Sequence, residues 1–134
     1  MRTFFTNCRI FDGTGQPALE TATMVVAGSQ IQWCGPADTP GAPISGDQDR
    51  VVDLGGKTII PGLFNTHAHL GLRLPFPERR MDPFTVGQRV LLIYRRALEA
   101  IQHGTTGIRC VGEAHFADID VRNAINKGIL PGPH

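Results

Sequence analysis

The stretch Ile59-Ile60-Pro61-Gly62-Leu63-Phe64-Asn65-Thr66-His67-Ala68-His69 decides how this chain is read. It is an apolar run that follows a Gly55-Gly56 turn, passes through Pro61-Gly62 and ends in polar groups. Successive side chains of a strand point to opposite faces, so His67 and His69 fall on the same face, and Asn65 shares it. Two imidazoles converging there can grip one divalent cation, zinc or a similar first-row metal. A bare His-x-His also arises by chance. Its setting adds weight, because an apolar strand ending in polar groups is how a barrel presents a site.

Before this stretch, residues 1–58 carry short β-like runs separated by turns. Thr3 to Phe11 is the first, closed by the turn signal Asp12-Gly13-Thr14-Gly15. Thr21 to Ala27 and Gln30 to Cys34 read as a hairpin about Gly28-Ser29. Gly35 to Asp49, rich in Pro, Gly and Asp, reads as loop, and Arg50 to Leu54 as a further strand.

From residue 59 the pattern switches. Ile59 to Phe64 reads as a buried strand that carries the two histidines at its C-terminal end. Gly71 to Arg80 is a Pro- and Arg-bearing loop. A helix follows, with Asp82 as N-cap and Pro83 at its first position. Val90, Tyr94, Ala97, Leu98 and Ile101 form its buried stripe. Gly104 ends it as a left-handed cap, with His103 in the last turn as a capping residue rather than a ligand. Thr105 to Val111 reads as a second strand containing Arg109, and Asp118 to Lys127 as a second helix closed by Gly128. Strand, helix, strand, helix with short links is a βαβ pattern and implies a parallel sheet.

Composition excludes several classes. The net charge is +1, which points to neither nucleic acid nor an anionic membrane. No stretch approaches the roughly 18 uninterrupted apolar residues a membrane helix needs. Cys8, Cys34 and Cys110 are an odd number without paired spacing, which fits reduced, buried thiols in the cytoplasm.

The run Pro61-Gly62-Leu63-Phe64-Asn65-Thr66-His67-Ala68-His69 resembles the first barrel strand of the amidohydrolase superfamily, whose members are metal-dependent hydrolases on a (β/α)8 barrel. Three other stretches share the likeness. Asp53-Leu54-Gly55-Gly56-Lys57-Thr58-Ile59-Ile60 resembles the lead-in strand, Gly104-Thr105-Thr106-Gly107-Ile108-Arg109 the second barrel strand, and Gly128-Ile129-Leu130-Pro131-Gly132-Pro133 the segment before the third. The last two are similar to the imidazolonepropionase-like and Xaa-Pro dipeptidase-like (prolidase-like) branch. The chain departs from the family pattern at Asn65, Cys110 and His134, where an Asp, an Asp and an Arg are usual.

The resemblance implies an α/β architecture: an incomplete (β/α)8 TIM barrel of two βα units over residues 59–134, preceded over residues 1–58 by part of a small composite β-sandwich. A barrel needs about 250 residues and this chain has 134, so the sequence is expected to be the N-terminal part of an enzyme: a truncation, a proteolytic piece or one chain of a split protein. The resemblance also implies that His67 and His69 hold metal, one or two zinc ions in the complete enzyme, activating water for hydrolysis of carbon–nitrogen bonds. The substrate would be an amide, a dipeptide-like molecule or a cyclic amide. Asn65, His115 and Arg73 are candidates for supporting or substrate-contacting roles; Arg73 shares its loop with Arg79 and Arg80, which also reads as plain solvated loop. No residue of this chain is assigned as catalytic, and the isolated 134 residues are expected to be inactive. The competing expectations are a non-catalytic fragment or subunit needing a second chain, and a heterocycle deaminase of the same superfamily.

Overall fold

The computed structural model describes residues 1–72 and 84–134. Two compact units divide the chain, Met1–Pro61 and Gly62–His134.

The first unit is a five-stranded mixed sheet. Strand β1 (Arg2–Ile10) lies between β2 (Leu19–Ala27) on one side and β4 (Arg50–Asp53) and β5 (Thr58–Ile59) on the other, with β3 (Gln30–Pro36) outside β2. The β1–β2 and β2–β3 pairs are antiparallel, whereas β4 and β5 run parallel to β1. Ala27 pairs directly with Gln30, so Gly28-Ser29 is the two-residue hairpin loop the sequence predicts, with Gly28 at φ 58°. Buried Cys8, Ile10 and Ala22 form the core, backed by Leu19, Met24, Leu54 and Ile59. The Cys8 thiol donates to the carbonyl of Ala22 at 3.1 Å, which satisfies its one polar atom inside the sheet.

The second unit is built on two parallel strands, β6 (Leu63–Ala68) and β7 (Thr105–Cys110), with helix α1 (Val86–Gln102) between them in sequence. A short 3-10 turn (Ala114–Phe116) leads into α2 (Ala117–Asn126). Ile93, Ala117 and Val121 form this unit's core, with Leu70, Val90, Tyr94 and Ile125 packed around it. Gly104, at φ 87°, turns the chain from α1 into β7 and accepts the Leu63 amide at 2.8 Å, tying the starts of the two strands together. His103 caps α1 as its position implies, its Nδ1 standing 2.7 Å from the carbonyl of Glu99.

Several sequence expectations are corrected here. The run Ile59 to Phe64 is not one buried strand. Thr58–Ile59 pairs with β1, and β6 starts only at Leu63. Pro61 has no amide to contribute to a ladder, and a Cβ on Gly62 would overlap the Thr106 side chain. Strand β6 is largely exposed, with Phe64 at 75%. A parallel strand is buried only when both faces are covered, and among the described residues β6 has a strand neighbour on one side alone. Helix α1 is capped by Thr85, whose hydroxyl accepts from the Gln88 amide while the Gln88 side chain accepts from the Thr85 amide. The expected cap, Asp82-Pro83, lies outside the described residues. The stripe α1 buries is Arg89, Ile93 and Ala97, with Val90, Tyr94, Leu98 and Ile101 only partly covered. Cys34 is exposed rather than buried. No helix among the described residues is long and apolar enough to cross a membrane.

Candidate metal centre

His67 lies within β6 and His69 directly after its end. Both are exposed, and their rings stand edge-on with centroids 5.6 Å apart and planes at 67°. Two imidazoles on one tetrahedral zinc, with metal–nitrogen bonds of about 2.1 Å, stand about 5 Å apart ring to ring. The observed centroid separation is close to that spacing.

The His69 ring is oriented by the neighbouring strand. Its Nδ1 lies 2.8 Å from the carbonyl oxygen of Gly112, just past the end of β7. A carbonyl only accepts, so Nδ1 donates this hydrogen bond, and in the neutral ring that leaves the lone pair on Nε2. Second contacts of this kind fix tautomer and direction in metal-binding histidines. Strand pairing brings the two ends together: Ala68 is in register with Cys110, and the Val111 amide donates to the Ala68 carbonyl at 3.1 Å.

Asn65 Oδ1 accepts from the backbone amide of His67 at 3.1 Å. It shapes the strand on which His67 sits. His115 is exposed in the 3-10 turn after β7 and adopts φ 62°, with Phe116 beside it at φ 53°. Arg73, with Arg79 and Arg80, lies outside the described residues. Arg109 is exposed on β7 and makes no ion pair among the described residues. Cys110 is half-buried, and its thiol is held up mainly by burial, a hydrogen bond from the Leu70 backbone opposing that shift.

Among the described residues no three His, Cys, Asp or Glu side chains gather into one metal-binding group. Among the described residues the candidate site thus offers two imidazoles, and a closed tetrahedral site needs more ligands. A cavity of about 240 Å³ lies between α1, α2 and β7, bordered by Leu70, Ile93, Ile108, Cys110 and Val121. Neither His67 nor His69 lines it, so it is separate from the histidine pair.

Two groups about the site are invisible to sequence reasoning. The Gly112 carbonyl is a backbone atom and leaves no residue-type signal. Glu113, whose Oε1 accepts the Gly71 amide at 2.6 Å, carries only the weak signal of an acidic side chain just beyond a strand end.

No protein-family model matches the chain. It is 41% identical over 71 residues to imidazolonepropionase of Pseudomonas putida, a match covering 52% of this chain and 17% of that protein. In structure it resembles a Xaa-Pro dipeptidase solved with methionine in its active site, at TM-score 0.83 and 26% identity, over 99% of this chain and 32% of that one. It is also similar to phenylurea hydrolase B, at TM-score 0.77 and 26% identity, over 100% of this chain and 29% of that one. The chain therefore spans a third or less of the relatives it matches. By sequence match and whole-chain likeness in fold, this chain is similar to the N-terminal portion of imidazolonepropionase- and prolidase-like proteins of the amidohydrolase superfamily.

Proposed function

We propose that this chain supplies the opening part of a metal-dependent hydrolase that cleaves carbon–nitrogen bonds. The observation that carries the reading is the His67–His69 pair at the end of β6, with rings 5.6 Å apart and the His69 tautomer set by the Gly112 carbonyl. In this reading residues 59–134 are the first part of a (β/α)8 barrel and residues 1–58 belong to a composite β-sandwich. Support comes from β7, whose second edge is already engaged. The His134 amide donates to the Thr106 carbonyl at 2.9 Å, and the Ile108 amide donates to the His134 carbonyl. These groups alternate with the Val111 amide that faces β6, so His134 lies on the opposite edge in a parallel-type pairing.

His67 and His69 would hold a divalent cation, which we take to be zinc, through neutral ring nitrogens. Such an ion activates water near neutral pH and polarises a scissile carbonyl. His69 is held ready by Gly112, and Asn65 fixes the backbone beneath His67. The substrate is a small amide, dipeptide-like or cyclic amide molecule. The names of the relatives support this: one is a Xaa-Pro dipeptidase and another an imidazolonepropionase. His115, in the turn that follows β7, is a candidate substrate contact, because functional residues gather beyond the C-terminal ends of barrel strands, and Arg73 in the first loop is a second candidate. The remaining ligands and the general base come from residues that complete the barrel, in the same polypeptide or a second chain. A cytoplasmic setting fits the three free cysteines.

The test is a hydrolysis screen of the full-length protein against dipeptides, N-acyl amino acids and cyclic amides, with and without chelator. Chelator-sensitive release of an amine or carboxylate that is lost in H67A and H69A supports the reading. Hydrolysis indifferent to both histidines overturns it.

A further inference from the structure

The turn that follows His69 is held at three backbone atoms by the side chains of Glu113 and Arg96, and closed by one backbone hydrogen bond of its own. The Leu72 amide donates to the His69 carbonyl at 3.3 Å, which closes the turn His69–Leu72. From β7's end, Glu113 Oε1 accepts the Gly71 amide at 2.6 Å. From α1, Arg96 Nη1 donates to the Leu70 carbonyl at 2.8 Å and also to the Leu72 carbonyl. Gly71 is buried, and a Cβ there would collide with the Glu113 carboxylate. Glu113 directly follows Gly112, the residue whose carbonyl orients the His69 ring.

We infer that Glu113 is a positioning residue for the metal-binding histidines: it locks the His69–Leu72 turn to the Gly112–Glu113 segment so that His69 Nε2 is aimed before any ion arrives. The inference rests on the metal-site reading above and extends it. The geometry is a closed loop with two links, the ring of His69 to the Gly112 carbonyl and the Gly71 amide to the Glu113 side chain. With both links formed, the ring and the backbone that bears it are fixed to the same two residues. With the Glu113 link broken, the His69 ring hydrogen bond must hold the turn from one side, and the ring gains freedom that metal binding must then remove. What Glu113 contributes is an acceptor oxygen at the right reach. A glutamine can supply that oxygen, and an aspartate, one methylene shorter, cannot.

The experiment uses the full-length protein, stripped of metal, as wild type, E113A, E113D and E113Q. Two quantities are read: zinc affinity by competition with a chromophoric chelator, and amide hydrogen exchange across residues 69–72 before zinc is added. The expected result is that E113A and E113D bind zinc about tenfold more weakly or worse, as loss of a supporting contact does elsewhere, and exchange faster across the turn. E113Q is expected within about threefold of wild type in affinity, with the turn protected, which a purely electrostatic role would not produce. If E113A does not fold, the E113D and E113Q pair carries the same comparison. Wild-type affinity and protection in E113A and E113D overturn the inference and leave the metal reading intact. An E113Q as impaired as E113A also overturns it. A wild type that binds no zinc at all overturns both.

Discussion

The Nδ1 atom of His69 lies 2.8 Å from the carbonyl oxygen of Gly112, so one of the two candidate ligands is oriented by the strand next to its own. That carbonyl stands where it does because Gly112 adopts φ 148°, a conformation L side chains rarely reach. A Cβ at this position meets nothing within 4 Å. G112A is therefore expected to fail through backbone strain rather than collision, costing about 1–3 kcal/mol and weakening zinc binding together. Denaturant unfolding and zinc competition on the same variant check both effects; full stability with full affinity would contradict the assignment.

Helix α1 is expected to respond very unevenly along its length. T85A removes the capping-box hydroxyl and is expected to cost about 1 kcal/mol. Ile93 is 0% exposed in the core of the second unit, and I93A is expected to cost about 2–5 kcal/mol because it leaves a cavity. Urea midpoints of the two variants give the ratio directly. Equal losses would mean that α1 does not dock through Ile93.

The first unit carries an acid-sensitive link. The Arg2 guanidinium reaches the Asp49 carboxylate at 2.6 Å, and the Gly46 amide adds a further hydrogen bond at 2.9 Å. The Arg2 side chain, and after it the Gly46 amide, hold Asp49 well below the usual carboxylate range. A carboxylate whose folded value is depressed adds stability above its unfolded value of 3.8 and loses it as pH falls toward the folded value. D49N is thus expected to be less stable than wild type at neutral pH, with the gap narrowing below about pH 4. Unfolding midpoints measured across that range test this, and a gap independent of pH would contradict it.

The three thiols are expected to react in order of exposure. Cys34 is exposed, Cys110 intermediate and Cys8 buried. Burial raises all three from the ordinary thiol value, so reaction quickens with rising pH. Peptide mapping after brief alkylation of the folded protein should find Cys34 modified first and Cys8 last. Early modification of Cys8 would mean the β1–β2 core is open.

Much of this architecture is legible in the residues, and the exceptions have physical causes. Gly28-Ser29 and Gly104 announce themselves because a tight hairpin and a left-handed cap demand glycine, and both glycines adopt positive φ. The spacing of His67 and His69 is legible because strand periodicity alone puts them on one face. The break between Ile59 and Leu63 is not, since the apolar run is continuous and only the pairing partners, β1 for one part and β7 for the other, divide it. Arg89 is not among the residues expected in the buried stripe, because a charged side chain on a helix is ordinarily solvated, yet it is 5% exposed. The turn after His69 is held by Arg96 and Glu113, distant in sequence from it, and no local pattern marks such long-range contacts.

We propose that His67 and His69 together hold the metal. Native mass spectrometry of the purified full-length protein, with metal retained, tests it most directly. One or two zinc ions per assembled protein are expected, lost in the H67A/H69A double variant while the assembly mass is otherwise unchanged. An unaltered metal count in that variant, or a wild-type protein without metal, would contradict it.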